Sequence, residues 1–178
     1  MRRVTPDELL LELLVSPHDA ALRAVYVDLL LESGDARAEH LRLQRAGHHR
    51  EADALARAEG HRWLPPSVAD FVVPGSCVFR DGLLDACALR PTTFDEARAL
   101  ATDPLWAAVR ALTSPPLIIL EQAKQLDAVH DLDHATLLEL AMLRPRLARL
   151  THLGLRLTST WRLWESLAAL DTPHLTSL

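Results

Sequence analysis

A short pattern of proline and bulky apolar residues recurs three times in the C-terminal part of the chain. In each copy, one apolar residue stands two positions after the proline and another stands five positions after it. The first two copies are offset by 41 residues and the last two by 28. The three copies are DPLWAAVRAL (103–112), RPRLARLTHLGL (144–155) and TPHLTSL (172–178).

The 28-residue offset lies within the range of leucine-rich repeats. Leu150, Leu153 and Leu155 also follow the L-x-x-L-x-L spacing of a repeat strand, and 161–170 reads as the helix that returns to the next strand. One strand–helix unit cannot bury its apolar face alone, so such units must stack. The 41-residue interval must hold something extra, and 115–140 reads as a strand-like run and two helical pieces. The pattern predicts a short solenoid with a small parallel sheet.

The first third of the chain is predicted to be helical throughout. Thr5 and Glu8 form a capping box around Pro6, and Ser16 is expected to cap a second helix that opens at Pro17. That helix should bury a single apolar face, and after Gly34 at its C-terminus Asp35 should cap the next helix. The residues of the expected face are Leu22, Val25, Tyr26, Leu29 and Leu30.

Four carboxylates surround Gly34 in the segment 26–44, which raises the question of a metal or acid–base site. Asp28, Glu32 and Glu39 fall off the apolar face or beyond its end, so water can reach them. A calcium loop needs oxygen ligands at alternating positions, and this segment lacks them. We interpret the segment as a corner between two helices.

The helices are predicted to break near Gly47 and to end at Gly60, where a proline-containing linker follows. The run 77–89 then has two apolar stretches joined by Asp81-Gly82, which is a strong hairpin signal. Thr93 and Glu96 form a second capping box.

The segment 13–44 resembles the bacterial repeat-companion domain, a module that often precedes leucine-rich repeats. Its pattern is N-P-x-D…R-x-V-Y-A-D-W-L-E-E-x-G-D-x-R-x-E-x-I-R-L-Q, and Leu30 stands here where the family commonly has tryptophan. The resemblance implies a helical N-terminal module, a strand pair linking it to the repeats, and no catalytic residues to carry over. The matching residues are Pro17, Asp19, Val25, Tyr26, Asp28, Leu31, Glu32, Gly34, Asp35, Arg37, Glu39, Arg42, Leu43 and Gln44.

Composition narrows the possible partners. The net charge is −5 and the basic residues are scattered, which argues against nucleic acid as the main partner. No apolar run reaches membrane-spanning length, so we expect a cytoplasmic protein that binds no membrane. Cys77 and Cys87 either pair across the hairpin or are small buried residues in a reducing compartment.

Histidines provide the only weak metal candidates. His130 and His134 would lie one turn apart if their segment were a continuous helix, but no third ligand is identifiable. A surface helix or a capping turn around Asp133 is the favoured interpretation, and no cofactor is expected. A metal- or nucleic-acid-binding protein is kept as an alternative function.

The sequence therefore predicts a helix-rich α/β fold in which an N-terminal helical bundle caps a short leucine-rich-repeat-like solenoid with one β-hairpin. The expected division is a helical domain at 1–62, a linker at 63–76 and the repeat part at 77–178. The predicted function is non-enzymatic binding of another protein. A self-assembling subunit using the open edge at 175–178 is a further alternative. The expected contact residues on the concave face are Arg110, Thr151, His152, Gly154 and Arg156.

Overall fold

The computed structural model describes residues 5–16, 19–132, 150–156 and 176. Predictions about His134, about the helix at 161–170 and about Leu175 and Leu178 lie outside these residues. Within the described part, no helix combines the length and the apolar composition that a membrane crossing requires.

The described chain contains both helices and strands from residue 66 onward, after an entirely helical beginning. Its α-helices are α1 Pro6–Val15, α2 Ala20–Ser33, α3 Ala38–Arg45, α4 His49–Glu59, α5 Pro66–Ala69, α6 Phe94–Leu100 and α7 Leu117–Leu120. Two 3₁₀ helices span Gly60–Trp63 and Pro104–Ala108. The strands are β1 Val78–Arg80, β2 Leu83–Ala88, β3 Ala111–Thr113, β4 Ala128–Leu132 and β5 His152–Leu155.

The five strands form one mixed sheet in which spatial order equals chain order. β1 and β2 are antiparallel, and β2, β3, β4 and β5 run parallel to one another. The prediction of a helix-rich α/β fold is therefore confirmed. The predicted hairpin is confirmed as well: Asp81 and Gly82 both have positive φ, at 50° and 77°, as a two-residue type I′ turn requires.

Most of the predicted helix ends are confirmed, with two exceptions. Thr5 and Glu8 form the capping box of α1, and Gly34 ends α2 in the left-handed conformation. Ser16 does not cap α2, because it ends α1 instead, and Asp19 accepts a hydrogen bond from the Leu22 N–H at 2.9 Å. A side chain three residues before the N–H that it caps is in the ordinary N-cap position. Asp35 does not cap α3 either, since α3 begins only at Ala38.

The buried face of α2 is rotated relative to the predicted one. Tyr26 and Leu30 are fully buried as expected, but Val25 is 55% exposed and Val27 is buried in its place. The reason is that α2 contacts both α1 and α3, so its buried arc extends to the side that faces α3. A single apolar stripe in the sequence shows only one of these two contacts.

The main core lies behind the parallel strands. The strands and the residues just before them contribute two rows of buried side chains to it. Cys87, Leu112, Val129 and Leu153 are aligned across the sheet, and all four are buried. The residues just before or at the start of these strands form a second buried row, which consists of Leu84, Val109, Leu126 and Leu150. Parallel strands need such continuous burial on the face that their return segments cover.

The segment 63–76 contributes Leu64, Val68 and Val72 to the same core. It contains α5, and Val72 forms an isolated bridge with Leu89. The division of the chain into domains with a linker here stays a prediction.

Both cysteines are free and buried. They stand next to the paired residues Val78 and Ala86 on neighbouring strands of the hairpin. Burial raises the pKa of the Cys77 thiol to about 11 and also raises that of Cys87. These properties match the interpretation of the two residues as small buried apolar groups.

Candidate interaction surface

Two side chains at the ends of α3 hold the hairpin turn at Gly82 in place, and we call the three residues Arg37, Gln44 and Gly82 the hairpin latch. The guanidinium of Arg37 donates to both oxygens of Asp35, at 2.8 and 3.0 Å, and to the hydroxyl of Tyr26 at 2.8 Å. It also donates to the carbonyl of Gly82 at 3.2 Å. One planar cation thus joins the corner after α2 to the turn between β1 and β2.

Gln44, in the last turn of α3, completes the latch from the side of β1. Its amide nitrogen donates to the carbonyl of Phe79 at 2.9 Å, and its amide oxygen accepts from the N–H of Asp81 at 3.3 Å. A side-chain amide that donates and accepts in this way satisfies backbone groups on the outer edge of a strand. β2 pairs with one edge of β1, and Gln44 binds the other edge at Phe79 and the adjoining turn at Asp81.

Gly82 is the third part of the latch because the helices approach its backbone closely. A Cβ atom at this position would lie 2.7 Å from Cδ1 of Leu30 and 3.4 Å from Cε1 of Tyr26. The turn therefore needs glycine for space as well as for its positive φ. The corner with four carboxylates is thus a docking element of the fold, in agreement with its interpretation as a corner.

The strands share a common starting position, defined by backbone hydrogen bonds from each strand to the next. The N–H of Arg110 donates to the carbonyl of Asp85, that of Asp127 to Arg110, that of Thr151 to Asp127 and that of Thr176 to Thr151, each at 2.8 Å. Consecutive starting positions are 25, 17, 24 and 25 residues apart. The 41-residue interval therefore contains one complete additional strand, β4.

Two details of the predicted repeat are wrong as a result. The 28-residue offset placed Leu150 opposite Leu178, whereas the pairing of Thr151 with Thr176 gives an offset of 25. The run Leu117–Leu120, in the segment expected to begin with a strand-like run, is the short helix α7, with Pro116 in an extended conformation at its N-cap. The strand lies later, at Ala128–Leu132.

The first three starting positions carry an acidic, a basic and an acidic side chain: Asp85, Arg110 and Asp127. Together with Arg80 on β1, we call them the acid–base row. Arg80 Nε lies 3.0 Å from Asp85 Oδ2, and Arg110 Nη1 lies 3.9 Å from Asp85 Oδ1. Arg110 Nη2 lies 2.6 Å from Asp127 Oδ2. The hydrogen bond to Asp127 raises the pKa of Arg110 above its ordinary value.

A second polar group lies at the other ends of β3, β4 and β5. Asp131 accepts from the Ser114 hydroxyl at 2.5 Å and from Nε of Arg156 at 2.7 Å. The hydrogen bonds from Arg156 and Ser114 lower the pKa of Asp131 to about 2. Ser114 and Asp131 both have positive φ, at 54° and 60°, and they follow the paired residues Thr113 and His130, so the backbone bends at equivalent places in both.

Between these two groups, the solvent side of the parallel strands carries small residues and two histidines. Ala86, Ala111, Ala128 and His152 form one row across the strands, and Ala88, Thr113 and His130 belong to the next. A Cβ on Gly154 would lie 3.1 Å from Nδ1 of His130, so Gly154 continues this second row. We call these residues, with the acid–base row and the Asp131 group, the sheet surface.

Four of the five predicted contact residues belong to the sheet surface: Arg110, His152, Gly154 and Arg156. Arg110 belongs to the acid–base row, and Arg156 belongs to the Asp131 group. Thr151 is half-buried, and its hydroxyl donates to the carbonyl of Asp127 at 3.1 Å and lies 2.8 Å from Nδ1 of the exposed His152. Whether the five residues bind a partner stays a prediction.

The metal hypothesis for His130 and His134 required one continuous helix. His130 lies in strand β4, so the helical spacing does not hold at that residue, and the favoured surface helix does not begin there either. His134 lies outside the described residues. Among the residues described, no three His, Cys, Asp or Glu side chains are grouped as a metal site would need.

Sequence reasoning missed the acidic partners Asp85, Asp127 and Asp131. A signal for two of them was available, because Leu-Asp-Ala followed by a small apolar residue occurs at 84–87 and again at 126–129. These two copies occupy equivalent places on β2 and β4. The signal is short, and the intervening strand begins with Val-Arg-Ala, which hides the repeat.

Comparisons with protein-family models, with curated proteins and with solved structures found no match to this chain. The resemblance to the repeat-companion family rests on the motif residues of 13–44.

Proposed function

We propose that this chain is a non-enzymatic interaction module that binds another protein through the sheet surface. The observation that carries the proposal is the acid–base row, in which Arg80, Asp85, Arg110 and Asp127 succeed one another across four neighbouring strands. Such a row offers both signs of charge at fixed spacing, which favours specific recognition of a complementary surface. The exposed His152 extends this surface onto β5.

In the same proposal, the helical N-terminal part is a repeat-companion module and the parallel strands belong to a leucine-rich-repeat-like solenoid. The hairpin latch supports this assignment, because it uses Arg37 and Gln44 of the motif to hold β1 and β2. A helical module fixed in this way would cover the first strand of a repeat array. The motif would then serve to start an array, and the strands would provide the binding surface.

Site-specific cross-linking tests the proposed surface. A photo-reactive amino acid at His152 should give a discrete cross-linked product in cells that naturally produce the protein. The matched control places it at the exposed Glu51 on α4, where no such product is expected. Arg110→Ala and Arg156→Ala should weaken the product at His152 without lowering the melting temperature by more than a few degrees. Equal products at the two positions would contradict the proposal.

A further inference from the structure

A pocket of about 230 Å³ opens beside the acid–base row, where α2 and the strands meet. Its lining includes Arg23, Arg80 and Arg110, together with Asp85 and Asp127. Arg23 is paired with Asp81 of the hairpin turn at 3.4 Å, which leaves Arg80 and Arg110 as the guanidinium groups beside the two carboxylates.

Gln125 also lines this pocket, and it is the residue that distinguishes the pocket from an ordinary set of surface ion pairs. Only 7% of its surface is exposed, and its amide nitrogen has no hydrogen-bond partner among the described residues. A buried amide without a partner costs free energy, and proteins rarely retain one that nothing satisfies. The amide is therefore a donor placed where an incoming acceptor can use it.

Arg80 and Arg110 provide further donors at the same place. In the described structure, Arg80 binds Asp85 through Nε, and its side chain is 65% exposed. Arg110 Nη1 lies 3.9 Å from Asp85, beyond hydrogen-bond distance, so it too can turn to another acceptor. Paired donors on a planar guanidinium match the two oxygens of a carboxylate.

We propose that this pocket receives the side-chain carboxylate of a glutamate or aspartate from an acidic segment of the partner. This inference rests on the proposed function, because it names the chemistry that the partner brings to the sheet surface. The size of the pocket supports a side chain: its volume is below the roughly 300–1,000 Å³ of typical small-molecule sites. The carboxylate would accept from Arg80 and Arg110, and its inner oxygen would accept from the amide of Gln125.

The pocket can be tested with a probe that carries one side chain. N-acetyl-glutamate N-methylamide is titrated into the full chain while side-chain amide signals are followed by NMR, with N-acetyl-glutamine N-methylamide as the uncharged control. A single carboxylate should bind with a dissociation constant of about 1–10 mM, as expected for one charged group with a few hydrogen bonds. The signal of Gln125 should shift and saturate with the glutamate probe and stay in place with the glutamine probe.

Gln125→Leu replaces the buried donor with an apolar side chain of similar size. It should lower the affinity for the glutamate probe about tenfold, which is the worth of one hydrogen bond to a charged group. The melting temperature should be unchanged or higher, since the variant removes an unsatisfied buried amide. The matched control is Gln122→Leu on the exposed side of the same segment, which should bind the probe as the wild type does.

Absence of saturation, or equal binding of the two probes, would overturn the carboxylate assignment. Equal effects of Gln125→Leu and Gln122→Leu would also overturn it. The outcome is separable from that of the proposed function. If cross-linking at His152 depends on Arg156 but no probe binds, only the pocket assignment fails; if the probe binds but cross-linking is unspecific, only the proposed surface fails.

Discussion

Gln44, at the end of α3, accepts a hydrogen bond from the backbone N–H of Asp81 in the hairpin turn, over 3.3 Å. The two residues are 37 positions apart in the chain. The same side chain donates to the carbonyl of Phe79, two residues earlier on β1, so one amide fixes both the position and the register of this strand. A helix is thereby tied to a sheet edge through backbone groups, whose geometry depends little on neighbouring side chains.

Replacing Gln44 should test this connection directly. Gln44→Ala removes both hydrogen bonds and should lower the free energy of unfolding by about 1–2 kcal/mol. Gln44→Glu should cost more, because a carboxylate oxygen would then face the carbonyl of Phe79. Urea unfolding followed by circular dichroism measures both values. A Glu variant as stable as the wild type would show that the amide does not make these contacts.

Gly82 and Gly34 provide a matched pair for alanine substitution. Their φ angles are 77° and 66°, so the backbone penalty is the same, about 1 kcal/mol. A Cβ at Gly34 meets nothing within 4 Å, whereas one at Gly82 meets Leu30 at 2.7 Å. Gly82→Ala should therefore lower the free energy of unfolding by about 2–4 kcal/mol, and Gly34→Ala by only about 1. Equal losses in thermal or urea unfolding would refute the close approach.

Arg37 should be the most sensitive charged residue of the latch. Its side chain is 15% exposed and that of Asp35 is 25% exposed, so Arg37→Ala leaves a poorly solvated carboxylate. The expected loss is about 2–3 kcal/mol, and Arg37→Lys should recover only part of it because lysine cannot form the planar fork. The control Arg42→Ala, at an exposed ion pair, should change stability by less than about 0.5 kcal/mol.

The same pair predicts a dependence on acid. Burial raises the pKa of Asp35, but the hydrogen bonds from Arg37 outweigh it and leave the pKa below the ordinary 3.8. The stabilisation by the pair is complete above that value and is lost as the pH falls through the lower folded pKa. Arg37→Ala should therefore be less acid-sensitive than the wild type below pH 4. Parallel acid-unfolding curves for the two proteins would argue against the pair.

His40 predicts a second pH effect, in a higher range. It is fully buried between Trp63 and Phe79, with ring centroids 5.4 and 6.3 Å away, and neither ring nitrogen has a hydrogen-bond partner in the described structure. Burial lowers its pKa below the ordinary 6.5. The unfolded chain then binds a proton that the folded chain excludes, so stability is full above pH 6.5 and falls as the pH drops below it.

The measurement is the free energy of unfolding between pH 5 and 7.5 for the wild type and for His40→Leu. One excluded proton contributes a slope of at most about 1.4 kcal/mol per pH unit. The leucine variant, which keeps the packing against Trp63, should have a flatter profile over that interval. Identical slopes would mean that His40 takes up its proton in the folded state.

The sequence predicted the elements whose signals are local. Capping boxes at Thr5 and Thr93, the turn at Asp81-Gly82 and the C-cap at Gly34 each depend on a few adjacent residues, and all four were confirmed. Strand β4 was not found in the sequence. Its 17-residue spacing from β3 is shorter than the other intervals, and a search for repeats detects equal intervals most readily.

The charged partners were missed for a related reason. Arg110 and Asp127 are neighbours only once the register between β3 and β4 is known, and a shift of one residue would move each side chain to the opposite face. The docking of Val27 against α3 and the burial of Gln125 depend likewise on how whole elements pack. The periodicity of apolar residues within α2 indicates its contact with one neighbouring helix and not its contact with a second one.

The unequal intervals between Asp85, Arg110, Asp127 and Thr151 have a consequence for how such a chain can change. Within each strand, buried residues alternate with residues of the sheet surface, so one inserted residue there would turn the buried side chains outward. The starting positions of β2 and β3 are 25 residues apart and those of β3 and β4 only 17, so the connecting segments differ in length while the alternation stays the same. Insertions and deletions are therefore expected in these connecting segments and not within the strands.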